Sequence, residues 1–291
     1  MWENGTTDEA KAAQDRTAYP GETLIEPARD DLMKYWREVR QYSGLICLLL
    51  WRNIKLRYRQ TIIGAAWALL QPLLAMVIFT ILFARLITIP TGGAPYPLFA
   101  LSALVPWTYF VHALTLASKC LVDHHDLVTK TYFPRVILPL VAVLEAAVDF
   151  LIAFAFLCGI VVAYGFTPRW STLLLAPLFL LLMATALGAG LWLSALNLKF
   201  RDISNALPFM TQLLLFITPV AYSSSLVPAG WRGAYALNPL TGVIEGFRWA
   251  LLRSATVASA SLFVSIVAGV ALLASGLWFF RSREDRFYED A

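Results

Sequence analysis

Residues 51–72, WRNIKLRYRQTIIGAAWALLQP, join a basic segment to an apolar one. Four cations precede the junction: Arg52, Lys55, Arg57 and Arg59. From Gly64 to Ala84 there is no charged residue, and at about 1.5 Å of helical rise per residue this run covers roughly the 30 Å hydrocarbon core of a bilayer. Cations beside a span favour the cytoplasmic side. The stretch therefore predicts a transmembrane helix that begins inside the cell.

The composition agrees with a membrane protein. Hydrophobic residues make up 59% of the 291 residues and charged residues 14%, with a mean hydropathy of +0.65, whereas soluble domains carry about 25% charged residues. The net charge of +4 does not indicate nucleic-acid binding, because the cations cluster at the ends of apolar runs. Residues 1–30 are polar and lack the apolar core of a signal peptide, so we expect a flexible cytoplasmic tail there.

Six apolar runs predict an all-α integral membrane protein with six transmembrane helices. The spans are expected at about 65–86, 98–120, 136–163, 171–196, 206–222 and 257–280. The fifth run is near the lower length for crossing a bilayer, and Pro208 and Pro219 frame it. With both termini in the cytoplasm, eighteen of the twenty-three Lys and Arg residues lie inside. This is the bias expected of an N-in, C-in protein.

Residues 31–63 precede the transmembrane domain at 64–291, and we expect them to form an amphipathic interfacial helix. Its apolar residues include Trp36, Val39 and Leu49, while its cations can reach water or lipid phosphate. Such a helix can lie in the plane of the interface and turn into the bilayer at its end. The alternative is an ordinary basic flank, but the segment is longer than a flank needs.

The segment after the second span, DHHDLVTKTYFPR at 123–135, predicts a short helix on the cytoplasmic face. Asp123 can cap its first turn, and Leu127, Val128 and Thr131 share one side at helical spacing. A short helix held between two spans suits docking into a groove of a soluble partner. The adjacent histidines do not indicate a metal site, because neighbouring residues point to different sides of a helix.

Residues 223–256 form a long external segment. It is too apolar for a solvated loop and too often broken by Pro and Gly for a span. We expect short re-entrant helices that dip into the outer leaflet, a geometry tolerated where other protein covers the backbone.

Seven aromatic residues are expected near the outer side of the membrane: Trp107, Tyr109 and Phe110 near the outer end of span two, and Tyr222, Trp231, Tyr235 and Trp249 in the external segment. One interpretation is that they form an interfacial belt. The other is that they stack weakly on the C–H faces of sugars along the path of a glycan. Both stay open at this point.

Two carboxylates, Glu145 and Asp149, lie four residues apart on one face of the third span, roughly 13 and 20 Å from its start. Acids at such depth face protein or a water-filled cavity. They are either protonated or hydrogen-bonded to neighbouring helices, or they contact a polar solute or serve in gating. A proton relay is less favoured, because no other span carries an acid.

We find no catalytic constellation and no Gly-x-x-x-x-Gly-Lys-Ser/Thr phosphate cradle in the sequence. Cys47, Cys120 and Cys158 are scattered without the spacing of a metal or redox site. We therefore expect no catalytic residue, metal or cofactor in this chain, and any energy for uphill work must come from a partner.

Seven segments, in this order, carry a resemblance to a known family. They are WRNIKLRYRQTIIGAAWALLQPLL, SALVPWTYF, LVTKTYFPRVILPL, NLKFRDI, ITPVAYSSSLVP, LNPLTGVIEGFRWALL and GLWFFRSREDRF. The ordered set resembles the membrane (permease) subunit of type-2 ABC exporters, in the branch that exports O-antigen and teichoic-acid polysaccharides. It covers nearly all of the chain after residue 31.

The resemblance implies a six-span half-transporter in the bacterial inner membrane. It would form a homodimer and bind two copies of a separate ATPase subunit, which would hold ATP and Mg²⁺. The coupling helix for that ATPase would lie at 123–132. The residues expected to contact the ATPase are Asp123, His125, Asp126, Leu127, Val128, Lys130, Thr131 and Tyr132, with Arg201 and Asp202 in the polar segment 197–205. The external re-entrant helices at 226–252 would cap the exit.

The function implied is ATP-driven export of a lipid-linked, O-antigen-like polysaccharide in lipopolysaccharide biosynthesis. Alternatives are a teichoic-acid or capsule exporter, an exporter of small lipophilic compounds, or, in another class, a membrane glycosyl- or acyltransferase. The four cations at 52–59 either serve only as a basic flank or also contact the pyrophosphate of a lipid-linked substrate that comes in from the inner leaflet.

Overall fold

The computed structural model describes residues 32–59, 66–84, 90–167, 169–200, 202–252 and 259–284. Within these ranges every regular element is helical and there is no strand, in agreement with the all-α prediction. The chain divides into two units, residues 1–41 and 42–291. The first unit contributes one described helix, α1 (Leu32–Gln41), and the tail predicted at 1–30 lies outside the described residues.

The described part of the second unit contains ten α-helices. They are α2 (Ser43–Arg59), α3 (Ala66–Phe79), α4 (Tyr96–Asp123), α5 (His125–Lys130), α6 (Ile137–Ala163), α7 (Leu175–Lys199), α8 (Asp202–Ile217), α9 (Arg232–Ala236), α10 (Pro239–Leu252) and α11 (Ser259–Arg283). A π-helical turn extends α3 and a 3-10 turn leads into α7: Thr80–Ala84 and Trp170–Leu174.

The segment predicted as one helix over 31–63 forms two helices, α1 and α2, which are separated by Tyr42. The predicted helix is therefore interrupted at Tyr42, and its interfacial placement stays a prediction. The break lies beside Ser43 and Gly44, and Gly costs about 1 kcal/mol relative to Ala within a helix. Residues 60–63 lie outside the described ranges.

Five helical segments in the described ranges are long and apolar enough to cross a membrane: Ala66–Phe83, Tyr96–Asp123, Ile137–Ala163, Trp170–Lys199 and Ala260–Arg283. They coincide with five of the six predicted spans. The remaining predicted span, the fifth in chain order at 206–222, corresponds to α8, whose 16 residues end at Ile217. Because Pro219 has no N–H to continue the helix, α8 is only about 24 Å long at 1.5 Å per residue. Its crossing of the membrane stays a prediction.

Helix α4 is central to the second unit. It packs against α6 and α7 and also contacts α3 and α10, and every residue from Leu98 to Val105 is buried. Helices α3 and α11 instead expose large apolar side chains such as Trp67, Ile78 and Trp278. Apolar surface of this kind is expected where a protein meets lipid or another chain.

Glycines bring α7 and α11 into backbone contact. A Cβ on Gly188 of α7 would lie 2.6 Å from the backbone nitrogen of Leu273, and one on Gly276 of α11 would lie 2.5 Å from the carbonyl oxygen of Gly188. Neither position has room for a methyl group. Small residues that allow such close approach are a common basis of helix association in membranes.

Candidate functional site

Helix α2 lies beside α6 and runs in the same direction. Asn53 Nδ2 donates a hydrogen bond to Glu145 Oε2 at 3.1 Å. Four residues further along α2, Arg57 Nη1 lies 3.0 Å from Asp149 Oδ2, and the Tyr58 hydroxyl donates to Asp149 Oδ1. Because a four-residue step along α2 matches a four-residue step along α6, the two helices are parallel over this stretch.

Helix α2 also contacts α4, and these two helices are antiparallel. Arg52 Nη2 lies 3.1 Å from His124 Nε2, and Arg57 Nη2 lies 2.9 Å from His112 Nε2. A guanidinium can only donate hydrogen bonds, so each Nε2 is the acceptor and the proton resides on Nδ1. The His124 Nδ1 lies 3.0 Å from a backbone carbonyl one turn earlier, and the His112 Nδ1 lies 3.4 Å from Asp149 Oδ2. In both histidines, Nε2 therefore faces a guanidinium and Nδ1 faces an oxygen acceptor.

These side chains form a group that we name the polar cluster: Asn53, Arg57, Tyr58, His112, Glu145 and Asp149. The Glu145 and Asp149 side chains are only 11% and 16% exposed, and Arg57 Nη1 lies 3.8 Å from Glu145 Oε1. Both carboxylates predicted within the third span are thus bonded to neighbouring helices. Donors of this kind are what allow a carboxylate to lie in an apolar environment.

The sequence singled out the two acids and Arg57 but missed Asn53, Tyr58 and His112 as their partners. Two features of the sequence could have indicated Asn53 and His112 as partners of the acids. Asn53 and Arg57 have the same four-residue spacing as the two acids, and His112 is the one residue between positions 98 and 118 that can carry a charge near neutral pH.

The four cations at 52–59 have different surroundings. Arg57 is bonded within the polar cluster, and Arg52 contacts His124 and Asn53. Lys55 and Arg59 are exposed. A role for all four in contacting the pyrophosphate of a lipid-linked substrate stays a prediction, and Arg52 and Arg57 are the two whose guanidinium groups contact neighbouring helices.

Helix α5 lies where the sequence predicts a short cytoplasmic helix, but it begins later. Asp123 is the last residue of α4, and the position before α5 is His124, which makes no capping bond through its side chain. The prediction that Asp123 caps this helix is therefore wrong. The reason is that α4 continues to Asp123, three residues beyond the predicted end of the span at 120.

The residues of α5 divide into an inner and an outer side. Val128 is completely buried and Leu127 is half-buried, whereas His125, Asp126 and Lys130 are exposed. Just beyond the helix, Thr131 and Tyr132 are exposed as well. Because Val128 faces the protein, it cannot meet a partner, and the predicted docking face shifts to the charged side.

An ion pair spans the exposed side of α5. Lys130 Nζ donates to Asp126 Oδ1 at 2.9 Å, one helical turn away. This hydrogen bond and the charge of Lys130 lower the pKa of Asp126 below its ordinary value. In the other predicted contact segment, Asp202 is exposed at the start of α8, and Arg201 lies outside the described residues.

In the external segment, helices α9 and α10 form where short helices were predicted. Eleven of the fourteen residues of α10 are buried, and α10 packs against α4, α7 and α11. Arg248 of α10 donates to three backbone carbonyls, those of Phe99 at 3.2 Å, Val220 at 2.6 Å and Tyr222 at 3.1 Å. These bonds join α10 to the start of α4 and to the turn after α8.

The seven predicted exit aromatics separate into two groups. Trp107, Tyr109 and Phe110 lie halfway along α4 rather than near its outer end, and all three are buried. The Tyr109 ring packs 5.4 Å from that of Phe150 and 5.1 Å from that of Phe179, measured between ring centres. A side chain buried among helices of its own chain cannot line a path between two chains.

The second group lies in the external segment. Trp231 is 71% exposed, and Tyr222, Tyr235 and Trp249 are partly exposed. The Tyr235 hydroxyl donates to that of Tyr222 at 3.0 Å, which in turn donates to the carbonyl of Phe216 at 2.7 Å. Of the seven residues, only these four could contact a solute without a change in packing.

Comparison with known proteins identifies relatives that are similar over most of this chain. The O-antigen export system permease protein RfbA of Myxococcus xanthus is 28% identical over 260 residues, which is 89% of this chain and 99% of that protein. The protein of the same name from Klebsiella pneumoniae is 26% identical over 84% of this chain and 94% of its own length. The polysialic acid transport protein KpsM of Escherichia coli is 22% identical over 80% of this chain and 91% of its own.

Residues 44–252 match the family model of the ABC-2 type transporter. This range begins in α2 and ends with α10, so it contains the polar cluster, α5 and the external helices. With its several membrane-spanning helices, the chain is a multi-pass membrane protein and belongs to the ABC-2 type transporter family.

Proposed function

We propose that the chain is the membrane subunit of an ATP-driven exporter that moves a lipid-linked polysaccharide across the bacterial inner membrane, from the cytoplasmic to the outer side. The observation that carries this proposal is the similarity to the O-antigen permease of Myxococcus xanthus over 99% of that protein's length. Since no phosphate cradle occurs in this sequence, hydrolysis of ATP is assigned to a separate subunit that holds ATP and Mg²⁺.

The proposed complex contains two copies of this chain and two ATPase subunits. The exposed side of α5 and Asp202 of α8 are the surfaces proposed to contact the ATPase. The exposed charges of Asp126 and Lys130 support this, because charged groups at an interface orient a partner of complementary charge more than they add affinity.

On the outer side, the glycan is proposed to pass the external helices, where Tyr222, Trp231, Tyr235 and Trp249 offer aromatic faces. Stacking of sugar C–H faces on such rings is weak and tolerant, which suits a chain that slides. On the inner side, the exposed Lys55 and Arg59 are proposed to meet the lipid pyrophosphate.

The test is reconstitution of the permease with its cognate ATPase in proteoliposomes that carry a fluorescently labelled lipid-linked glycan. We expect ATP to move the glycan to the opposite leaflet, where an added glycosidase no longer reaches it. A complex whose ATPase binds but does not hydrolyse ATP is the control. Stimulation of hydrolysis by small lipophilic compounds, with no movement of the glycan, would contradict the proposal.

A polysialic acid exporter is the second candidate, because the polysialic acid transport protein KpsM is similar over 91% of its length. The two candidates differ in the glycan. The same assay with an O-antigen-type glycan and with polysialic acid on a lipid anchor separates them, because each exporter is expected to move its own glycan faster.

A further inference from the structure

Helix α2 is attached to its neighbours mainly through polar bonds. Of its residues, all of which the structure describes, only Leu49 is buried. A cavity of about 250 Å³ lies between α2, α4 and α6, and its apolar wall includes Leu56, Leu116 and Val141. Because the apolar contact is incomplete, the polar cluster and the bond from Arg52 to His124 supply most of the fixed attachment.

These polar bonds reach the two helices that flank α5. His124 joins α4 to α5, and His112 lies three turns further back on α4. Glu145 and Asp149 belong to α6, the helix that follows. Helix α2 is therefore bonded to both arms of the hairpin that presents α5, and it precedes α3, the first candidate span.

Arg57 and Asp149 are at the centre of these bonds. Asp149 accepts from Tyr58 at one oxygen and meets Arg57 and His112 at the other. Directional bonds between charged groups hold one register, whereas apolar surfaces can slide past each other at little cost. The arrangement fits two helices that have to keep their relative position while they move.

We infer that Arg57 and Asp149 form a latch that makes α2 move together with the hairpin of α4, α5 and α6. The inference rests on the proposed function, in which α5 contacts the ATPase. Movement imposed on α5 then reaches α2, and through α2 the first span. Arg57 and Asp149 are positioning residues in this scheme, because they act on the helices and do not touch the transported glycan.

The first measurement is the number of glycans moved per ATP hydrolysed by the reconstituted complex. Arg57→Gln removes the ion pair, and we expect this ratio to fall about tenfold while hydrolysis continues. Arg40→Gln removes an exposed cation of α1 and is the control, with a ratio close to that of the original protein. An unchanged ratio for Arg57→Gln overturns the latch.

The second measurement replaces the latch by a covalent link. Asn53→Cys and Glu145→Cys are added to Arg57→Gln, in a protein whose native cysteines are replaced by Ala, and are joined by a short reagent that reacts with two thiols. Linking is expected to restore the ratio that Arg57→Gln has lost. No gain on linking, or a complete loss of transport, overturns the latch. Linked and unlinked samples are one protein, so a folding defect affects both equally.

The third measurement does not depend on the substrate. Spin labels on Leu48→Cys in α2 and Leu151→Cys in α6, two exposed positions, report the distance between these helices with and without ATP. The distance is expected to stay constant in otherwise unchanged protein and to vary with ATP when Arg57→Gln is added. A distance that varies with ATP in the unchanged protein overturns the latch, whereas failure of that protein to move any glycan contradicts the proposed function.

Discussion

The guanidinium of Arg248 lies 3.6 Å from the centre of the Phe99 ring, and its Nε donates to the Phe99 carbonyl, although the two residues are 149 positions apart. The contact combines cation–π attraction with a charge-assisted hydrogen bond. It fastens the external helix α10 to the start of α4. Arg248 is thus one of the contacts that hold the external region to α4, beside the packing of α10 on that helix.

Replacement of Arg248 should therefore weaken the external region. Arg248→Met leaves three carbonyl groups without their donor, and we expect a loss of about 3 kcal/mol in the free energy of unfolding, because hydrogen bonds to charged groups contribute about 1.5 to 3 kcal/mol each and partial repair by water is expected. Thermal unfolding of the detergent-purified protein measures the effect. Arg232→Met is the control, because Arg232 is exposed, and a similar loss in both variants would contradict the role of Arg248.

The contact of α7 with α11 should not tolerate a methyl group at Gly276. In Gly276→Ala the new Cβ would meet the backbone of Gly188, and overpacking of this kind typically costs about 1 to 3 kcal/mol. Gly159→Ala is the matched control in a helix, because no described atom lies within 4 Å of a Cβ built there. Equal melting temperatures for the two variants would refute the close contact.

Trp107 and Trp231, which the sequence placed in one group of exit aromatics, should respond differently to replacement by Ala. Trp107→Ala empties a buried site in α4, and loss of a buried aromatic side chain costs about 3 to 5 kcal/mol, so poor folding is expected. Trp231 is 71% exposed, so Trp231→Ala should leave the melting temperature nearly unchanged and slow glycan transport in proteoliposomes. Unchanged transport in a folded Trp231→Ala protein would remove this residue from the glycan path.

Substitutions on the buried side and on the exposed side of α5 should have different effects. Val128→Asp places a charge where the side chain is fully buried, so we expect misfolding rather than a specific loss of coupling. Lys130→Glu changes only the exposed side and should lower the amount of ATPase that co-purifies with the folded permease. Normal co-purification with Lys130→Glu would place the ATPase contact elsewhere.

The pair of Asp126 and Lys130 should make the contact with the ATPase insensitive to mild acid. Lys130 holds the pKa of Asp126 below its ordinary value, so the contribution of its charge is present above that ordinary value of about 3.9 and is lost only as the pH falls through the lowered pKa. Co-purification with the ATPase should therefore depend on Asp126→Asn equally at about pH 6 and about pH 8. A difference between the two pH values would contradict the lowered pKa.

Five spans could be predicted from the sequence because an uninterrupted apolar run in a bilayer can satisfy its backbone hydrogen bonds by forming a helix. In the bilayer each N–H and C=O needs a partner within the segment, so length and composition indicate the helix without knowledge of its neighbours. The start of α5 was misplaced because the end of α4 depends on packing that no local pattern encodes. The burial of Trp107 was missed for the same reason, since an aromatic residue in a span can face lipid, protein or water.

By itself, the sequence at 51–72 determined that a basic segment meets an apolar helix. Charge and hydropathy act locally, and the sign of the flanking charge sets the expected side of the membrane. Only the tertiary structure decided what Arg57 does there. Its partners His112, Glu145 and Asp149 are 55, 88 and 92 residues away, and they reach it because α2, α4 and α6 pack side by side. Which helices become neighbours depends on close contacts along the whole unit, such as that of Gly188 with Gly276, and no single segment specifies them.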